Sequence, residues 1–108
     1  MEKITFEQFQ EIEQKLEIVL GRILSVERMP KSDKMLKLTV EFANEATGTV
    51  MTNIGNKVNP DDLVNAIYPF IANLEPAKIM GEVSTAMIMV PTKDGEIDLE
   101  GNPGSILM

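Results

Sequence analysis

Five cations, Arg22, Arg28, Lys31, Lys34 and Lys37, fall in one short segment whose only acids are Glu27 and Asp33. Lysine and arginine at adjoining loop and strand positions contact phosphate oxygens and release the counterions held there, so the segment is a candidate polyanion surface. The same side chains would equally serve as a solvated face around an exposed loop. Thr52 and Asn53 offer a hydroxyl and an amide to a base edge, although Asn53 is also a residue that accepts a tight turn. Lys78 and Lys57 are further phosphate-contact candidates, and Lys57, just ahead of a helix start, reads more simply as a solvated lysine.

The rest of the composition narrows the chemistry. The 108 residues carry a formal charge of -7, with 17 acids against 10 bases, so nonspecific polyanion binding is disfavoured and any nucleic-acid contact must come from a local patch. Histidine and cysteine are absent, which excludes Ser-His and Cys-His catalysis and disulfides. No constellation of base and nucleophile is visible, and neither an enzyme nor a cofactor is expected. Asp94, Glu96, Asp98 and Glu100 alternate along a short hairpin and are expected on one exposed face; they lack the spacing of a calcium loop, and no metal site is expected. No apolar run approaches the roughly 20 residues of a membrane span, and the opening Met1-Glu2-Lys3-Ile4-Thr5 lacks the order of a secretory signal. The expectation is a cytoplasmic protein with no membrane association, folded as a single domain over 1–108.

The elements that must position these residues are mostly strands. Thr5 and Gln8 have capping-box spacing, and Phe6, Phe9, Ile12 and Leu16 share a helical face, which predicts a short amphipathic helix packed on a sheet. From Leu16 the pattern becomes strand-like: Ile18, Leu20, Leu24 and Val26 share one parity, with Arg22 interrupting and Gly21 at a candidate bend. Pro30, Lys31, Ser32 and Asp33 form a turn, after which Leu36, Leu38, Val40 and Phe42 alternate with Lys37, Thr39 and Glu41. Thr49 to Ile54 is expected to pair with that strand as a hairpin. Asn59-Pro60-Asp61-Asp62 favours a short helix. Ala66 to Asn73 reads as a fourth strand, with Pro69 suggesting an edge or bulge. Met87 to Val90 reads as a fifth, and Asp94-Gly95 as the turn of a last hairpin.

Five strands with a helix between the third and fourth is the order of the OB-fold, so the chain is expected to be all-β: a five-stranded Greek-key barrel with short helices and a C-terminal hairpin extension. Several motifs then match one family in order. Glu17-Ile18-Val19-Leu20-Gly21-Arg22-Ile23 resembles D-(I/L)-R-V-G-x-I, and Met29-Pro30-Lys31-Ser32-Asp33-Lys34-Met35 resembles H-P-x-A-D-K-L. Thr52-Asn53-Ile54 corresponds to S-G-I, and Asn73-Leu74-Glu75-Pro76-Ala77-Lys78-Ile79-Met80-Gly81 to N-L-K-P-(A/V)-K-(L/M)-x-G. Ser84-Thr85-Ala86-Met87 matches S-x-G-M, and Pro103-Gly104-Ser105 the closing P-G-(S/T). Over nearly its whole length the chain is similar to the tRNA-binding OB-fold domains that end many methionyl-tRNA synthetases, stand alone as dimeric tRNA-binding proteins, and recur in endothelial monocyte-activating cytokines and an export-chaperone branch.

The resemblance implies a nonenzymatic module that binds the structured part of tRNA as a homodimer. It adds Ser84 and Met87 as tRNA contacts, although Met87 by its own pattern reads as core, and it implies a dimer contact through the C-terminal residues Ile106, Leu107 and Met108. The departures are concentrated in charge and glycine: Val19 replaces arginine, Met29 histidine, Glu75 lysine, and Asn53 and Ala86 replace glycines. They leave open a second reading, a protein-interaction or export-chaperone-like dimer that has kept the barrel but lost the RNA surface, with a synthetase or other protein as its partner. The only aromatics are Tyr68 and four phenylalanines in apolar-periodic positions, so a stacking platform for bases is not expected.

Overall fold

The computed structural model of the protein describes residues 2–107. Helix α1 (Phe6–Lys15) opens the chain, with Thr5 and Gln8 exchanging both capping-box hydrogen bonds as their spacing predicts. Strands β1 (Ile18–Arg28), β2 (Leu36–Glu41), β3 (Thr47–Thr52), β4 (Ile67–Ile71) and β7 (Met87–Ile88) form one antiparallel sheet in the order β3-β2-β1-β4-β7, curled into a half-barrel. Strands β5 (Ala77–Ile79) and β6 (Glu82–Ser84) make a separate hairpin, which the sequence pattern did not announce. Strands β8 (Pro91–Lys93), β9 (Glu96–Ile97) and β10 (Ile106–Leu107) form a small C-terminal sheet around the expected Asp94-Gly95 turn. The architecture is OB-like, and the expected helix between the third and fourth strands is a single 3-10 turn at Pro60–Asp62, capped by Asn59.

The core lies inside the curl. Ile23, Leu36, Leu38, Val40, Val50, Leu63 and Phe70 are fully buried, and each such side chain contributes about 1.5–3 kcal/mol of transfer free energy. The alternation read in β2 is the observed one, with Leu36, Leu38 and Val40 inward. That of β1 differs: Gly21 and Ile23 are the buried positions, whereas Ile18, Leu20 and Leu24 are exposed, and a register shift between Ile23 and Ser25 returns Val26 to the inner side. Position 21 has room only for glycine, because a Cβ there would approach Val40 Cγ1 to 2.6 Å, closer than atoms pack, and would also crowd Phe42 and Phe70. These two rings meet edge to face at 5.5 Å.

Two further expectations are corrected. The apolar face of α1 does not pack on the sheet: the helix buries no residue, Phe6 stays 73% exposed, and Phe9, Ile12 and Leu16 gather only around Ile18. The helix is held at its C-terminal end by Asn73, whose amide donates to the Lys15 carbonyl at 2.6 Å and accepts from the Glu17 N–H at 2.8 Å. Pro69 lies in an interior strand, yet it obeys the rule that suggested an edge. Its nitrogen faces β7, where the ladder stops at the Phe70–Ile88 pair and only the Pro69 carbonyl is used, accepting from Met89 N–H at 2.9 Å.

Candidate nucleic-acid interface

The loop between β1 and β2 carries the cation cluster on an organised backbone. Ser32 N–H donates to the Met29 carbonyl across Pro30 and Lys31, and Lys31 has φ of 69°, the left-handed conformation expected two residues into such a turn. The Ser32 hydroxyl accepts from Met35 N–H at 3.0 Å, and Met29 N–H donates to Met35 O at 3.0 Å. Gly55, just past β3, clamps the loop from below: its N–H reaches the Lys34 carbonyl at 2.7 Å, and a Cβ on it would sit 2.8 Å from that oxygen. Lys31 and Lys34 project into solvent from this scaffold, and Arg28 reaches back to the Asp33 carbonyl at 3.5 Å.

The remaining cations are dispersed. Arg22 lies six positions along β1 from Arg28, about 20 Å at strand spacing, and donates to the Asn65 carbonyl at 3.0 Å. Lys37 is half-buried in an ion pair with Glu82 of β6 at 3.1 Å. Lys78 pairs with Val83 across the β5–β6 hairpin, on the opposite face from Ile79.

An open groove of about 850 Å³ gathers another subset. Thr52, Asn53, Lys57 and Met87 line it together with Met35 at the end of the basic loop and Lys93 at the end of β8. Met87 is 53% exposed rather than core, while Met51 and Ile88 are buried beneath the surface. Met35, Met51, Ile79 and Lys93 are not among the site residues read from the sequence; the one local signal for Lys93 is its place before the Asp94-Gly95 turn. The groove adjoins the basic loop at Met35, the residue after Lys34.

Ser84 has a different place from the one its motif implies. It is 7% exposed, and its hydroxyl accepts from Met51 N–H at 3.0 Å and donates to the Ala86 carbonyl at 3.2 Å. Thr85 N–H then reaches the Thr49 carbonyl at 3.1 Å. These contacts stitch the chain ahead of β7 to the free edge of β3, which brings the two outer strands of the sheet together. The Ser84 hydroxyl is thus engaged in the barrel seam in both hydrogen-bonding directions.

The C-terminal acids do not share one exposed face. Asp98 is half-buried and holds the following turn, accepting from Asn102 N–H and Ser105 Oγ, both at 2.8 Å. The Asn102 backbone hydrogen bond first, then that of Ser105, holds its carboxyl below the ordinary range. Among the described residues no group of acids is arranged to hold a metal. Strand β10 pairs with β8, leaving Ile106 60% and Leu107 50% exposed; Met108 lies outside the described residues.

A family model described as "putative tRNA binding domain" matches residues 18–105, which span the basic loop, the seam and all of the groove lining but Ile106. The chain belongs to that family. This tRNA-binding-type domain is 37% identical over 95 residues to a methionine–tRNA ligase of Archaeoglobus fulgidus, covering 88% of the chain and 14% of the ligase. It is 34% identical to that of Methanococcoides burtonii, covering 96% of the chain and 16% of the ligase. The domain therefore spans a small fraction of these relatives. Among solved structures it resembles a MetRS-related protein from Pyrococcus horikoshii, with a TM-score of 0.76, 28% identity, and coverage of 98% of this chain and 94% of that one. A CsaA chaperone from Picrophilus torridus shares the fold, with a TM-score of 0.71 at 23% identity over 96% of this chain and 99% of that one. Among the described residues no helix is long and apolar enough to cross a membrane.

Proposed function

We propose that the domain is a nonenzymatic RNA-binding module that engages folded tRNA as a homodimer, through the groove and the basic loop beside it. The observation that carries this reading is the local charge. In a molecule of net charge -7, Lys31 and Lys34 project from a clamped loop that runs directly into a groove bearing Lys57 and Lys93 against one acid, Asp94. A held loop loses little freedom on binding, so a few lysines suffice for modest affinity, and a dimer presenting two such patches gains avidity. The exposed Leu107 and Ile106 are the proposed dimer contact, with Ile106 also forming the C-terminal rim of the groove, so that the two surfaces adjoin there.

The test is fluorescence anisotropy of labelled total tRNA at several salt concentrations, with a Lys31→Glu/Lys34→Glu variant alongside. Binding is expected to weaken with salt at a slope of about -0.7 to -0.9 per phosphate neutralised, and the variant to lose about two such increments. A wild type that fails to bind tRNA at low salt would sink the reading. A second reading, a dimer serving a synthetase or other protein partner, is favoured by the exposed apolar outer face of β1 and β4. Leu20 there is 68% exposed, and Ile18 and Ile67 are about half exposed. Partner binding on that face would be insensitive to salt.

A further inference from the structure

We propose that Glu82 masks Lys37 from the phosphates of a bound RNA and so sets an upper limit on how tightly this domain holds tRNA. The inference rests on the tRNA reading and names a residue that restrains binding rather than one that makes it.

Lys37 Nζ and Glu82 Oε1 lie 3.1 Å apart, with the two side chains 27% and 36% exposed, and they form the only ion pair among the described residues. Other cations around the basic loop meet no carboxylate. Arg28 and Lys93 donate to the Asp33 and Pro103 carbonyls, while Lys31 and Lys34 project into solvent. Lys31, Lys34 and Lys37 recur every third residue from the loop into β2, so a free Lys37 would lengthen the row of positive charge. Its ammonium is instead neutralised by an oxygen anion of the kind a phosphate presents. A phosphate must displace that carboxylate, or share the ammonium with it against the repulsion of two anions, before Lys37 contributes a contact.

The pair stands at the flank of the groove. Lys37 is directly opposite Met51 in the β2–β3 ladder, and Glu82 is directly opposite Ile79 in the β5–β6 hairpin. Met51 and Ile79 both line the groove, so the ion pair bridges β2 to the hairpin beside the groove wall. As a tether it is redundant: the Met51 N–H to Ser84 Oγ bond at 3.0 Å and the Thr85 N–H to Thr49 carbonyl bond at 3.1 Å already fasten this segment to β3. Ion pairs this exposed add little stability. The electrostatic consequence is larger, because the pair withdraws one cation from a patch that has few.

Anisotropy titrations of labelled tRNA at several salt concentrations, run as a double-mutant cycle on Lys37 and Glu82, test this. Glu82→Gln keeps the length of the side chain and frees Lys37. It is expected to raise tRNA affinity by up to about fivefold at low salt, the factor an exposed ion pair carries, and to steepen the salt slope by about 0.7–0.9. Glu82→Val, which suits the same strand position, should do likewise. Lys37→Gln alone is expected to keep the wild-type slope, and Lys37→Gln/Glu82→Gln to show no gain. Glu75→Gln removes the same charge from an exposed position ahead of the hairpin without releasing a lysine, and should leave the slope as it is. Melting curves recorded alongside verify that each variant is folded. An unchanged slope in both Glu82 variants, or a slope reduced by Lys37→Gln alone, overturns the mask, and salt-dependent binding by the wild type then leaves the tRNA reading standing. A gain from Glu82→Gln that persists in the Lys37→Gln background belongs to overall charge and also overturns the mask. Absence of tRNA binding by the wild type and the Glu82 variants alike overturns both.

Discussion

Removing the Ser84 hydroxyl strands two backbone groups at once, the Met51 N–H and the Ala86 carbonyl, at a site that is 7% exposed. Each buried group left without a partner costs about 1–3 kcal/mol. Ser84→Ala is accordingly expected to lower the melting temperature by about 4–8 °C per kcal/mol lost, with an unchanged salt slope for tRNA; an unchanged melt with weakened binding would instead make the hydroxyl a ligand contact. Lys31 offers the reverse separation. A non-glycine residue at φ of 69° carries about 1–2 kcal/mol of strain, and glycine relieves this while adding about 0.5–1 kcal/mol of unfolded-state entropy. Lys31→Gly should melt at or slightly above the wild type and bind tRNA with a slope reduced by about 0.7–0.9, measured by calorimetry and anisotropy on the same sample.

At the scale of elements, the turn that leads into β10 is tied by one carboxylate, that of Asp98. The Asp98 pKa is depressed in the folded state, so its contribution is complete above the ordinary value of 3.8 and is lost as pH falls below it. On acidification the Asn102 and Ser105 amide resonances should lose their folded shifts before those of β1 and β2, and Asp98→Asn should reproduce part of that loosening at neutral pH. Local signals made some elements legible in the sequence: the capping box of α1, the clean alternation of β2 and the Asp94-Gly95 turn each need only neighbouring residues. The parity of β1 misleads because its outer face is also apolar and a bulge reverses the pattern midway. The β5–β6 hairpin is too short to carry a period. The site divides the same way. Thr52, Asn53, Lys57 and Met87 share one groove, but the ion pair between Lys37 and Glu82 joins residues 45 positions apart and the Met51–Ser84 bond joins residues 33 apart. Nothing in a linear pattern marks such partners.

For the whole molecule, the dimer and the acidic charge meet in one expectation. A chain ending after Asn102 loses β10 and should run as a monomer in light scattering, whereas the full 108-residue chain should run as a dimer. A truncated chain that remains dimeric would move the contact elsewhere, with the exposed Leu20 face the first to test through Leu20→Glu. The groove has a consequence beyond recognition, because its walls are drawn from Met35 through Ile106 and exist only when the sheet, the seam and the C-terminal strands are all in place. An occupant of the groove finds no counterpart site in the unfolded chain, so it acts as a ligand of folding itself. At a hundred times its dissociation constant it would raise stability by about 2.7 kcal/mol, and variants too weak to hold the barrel closed alone would be rescued by RNA in solution.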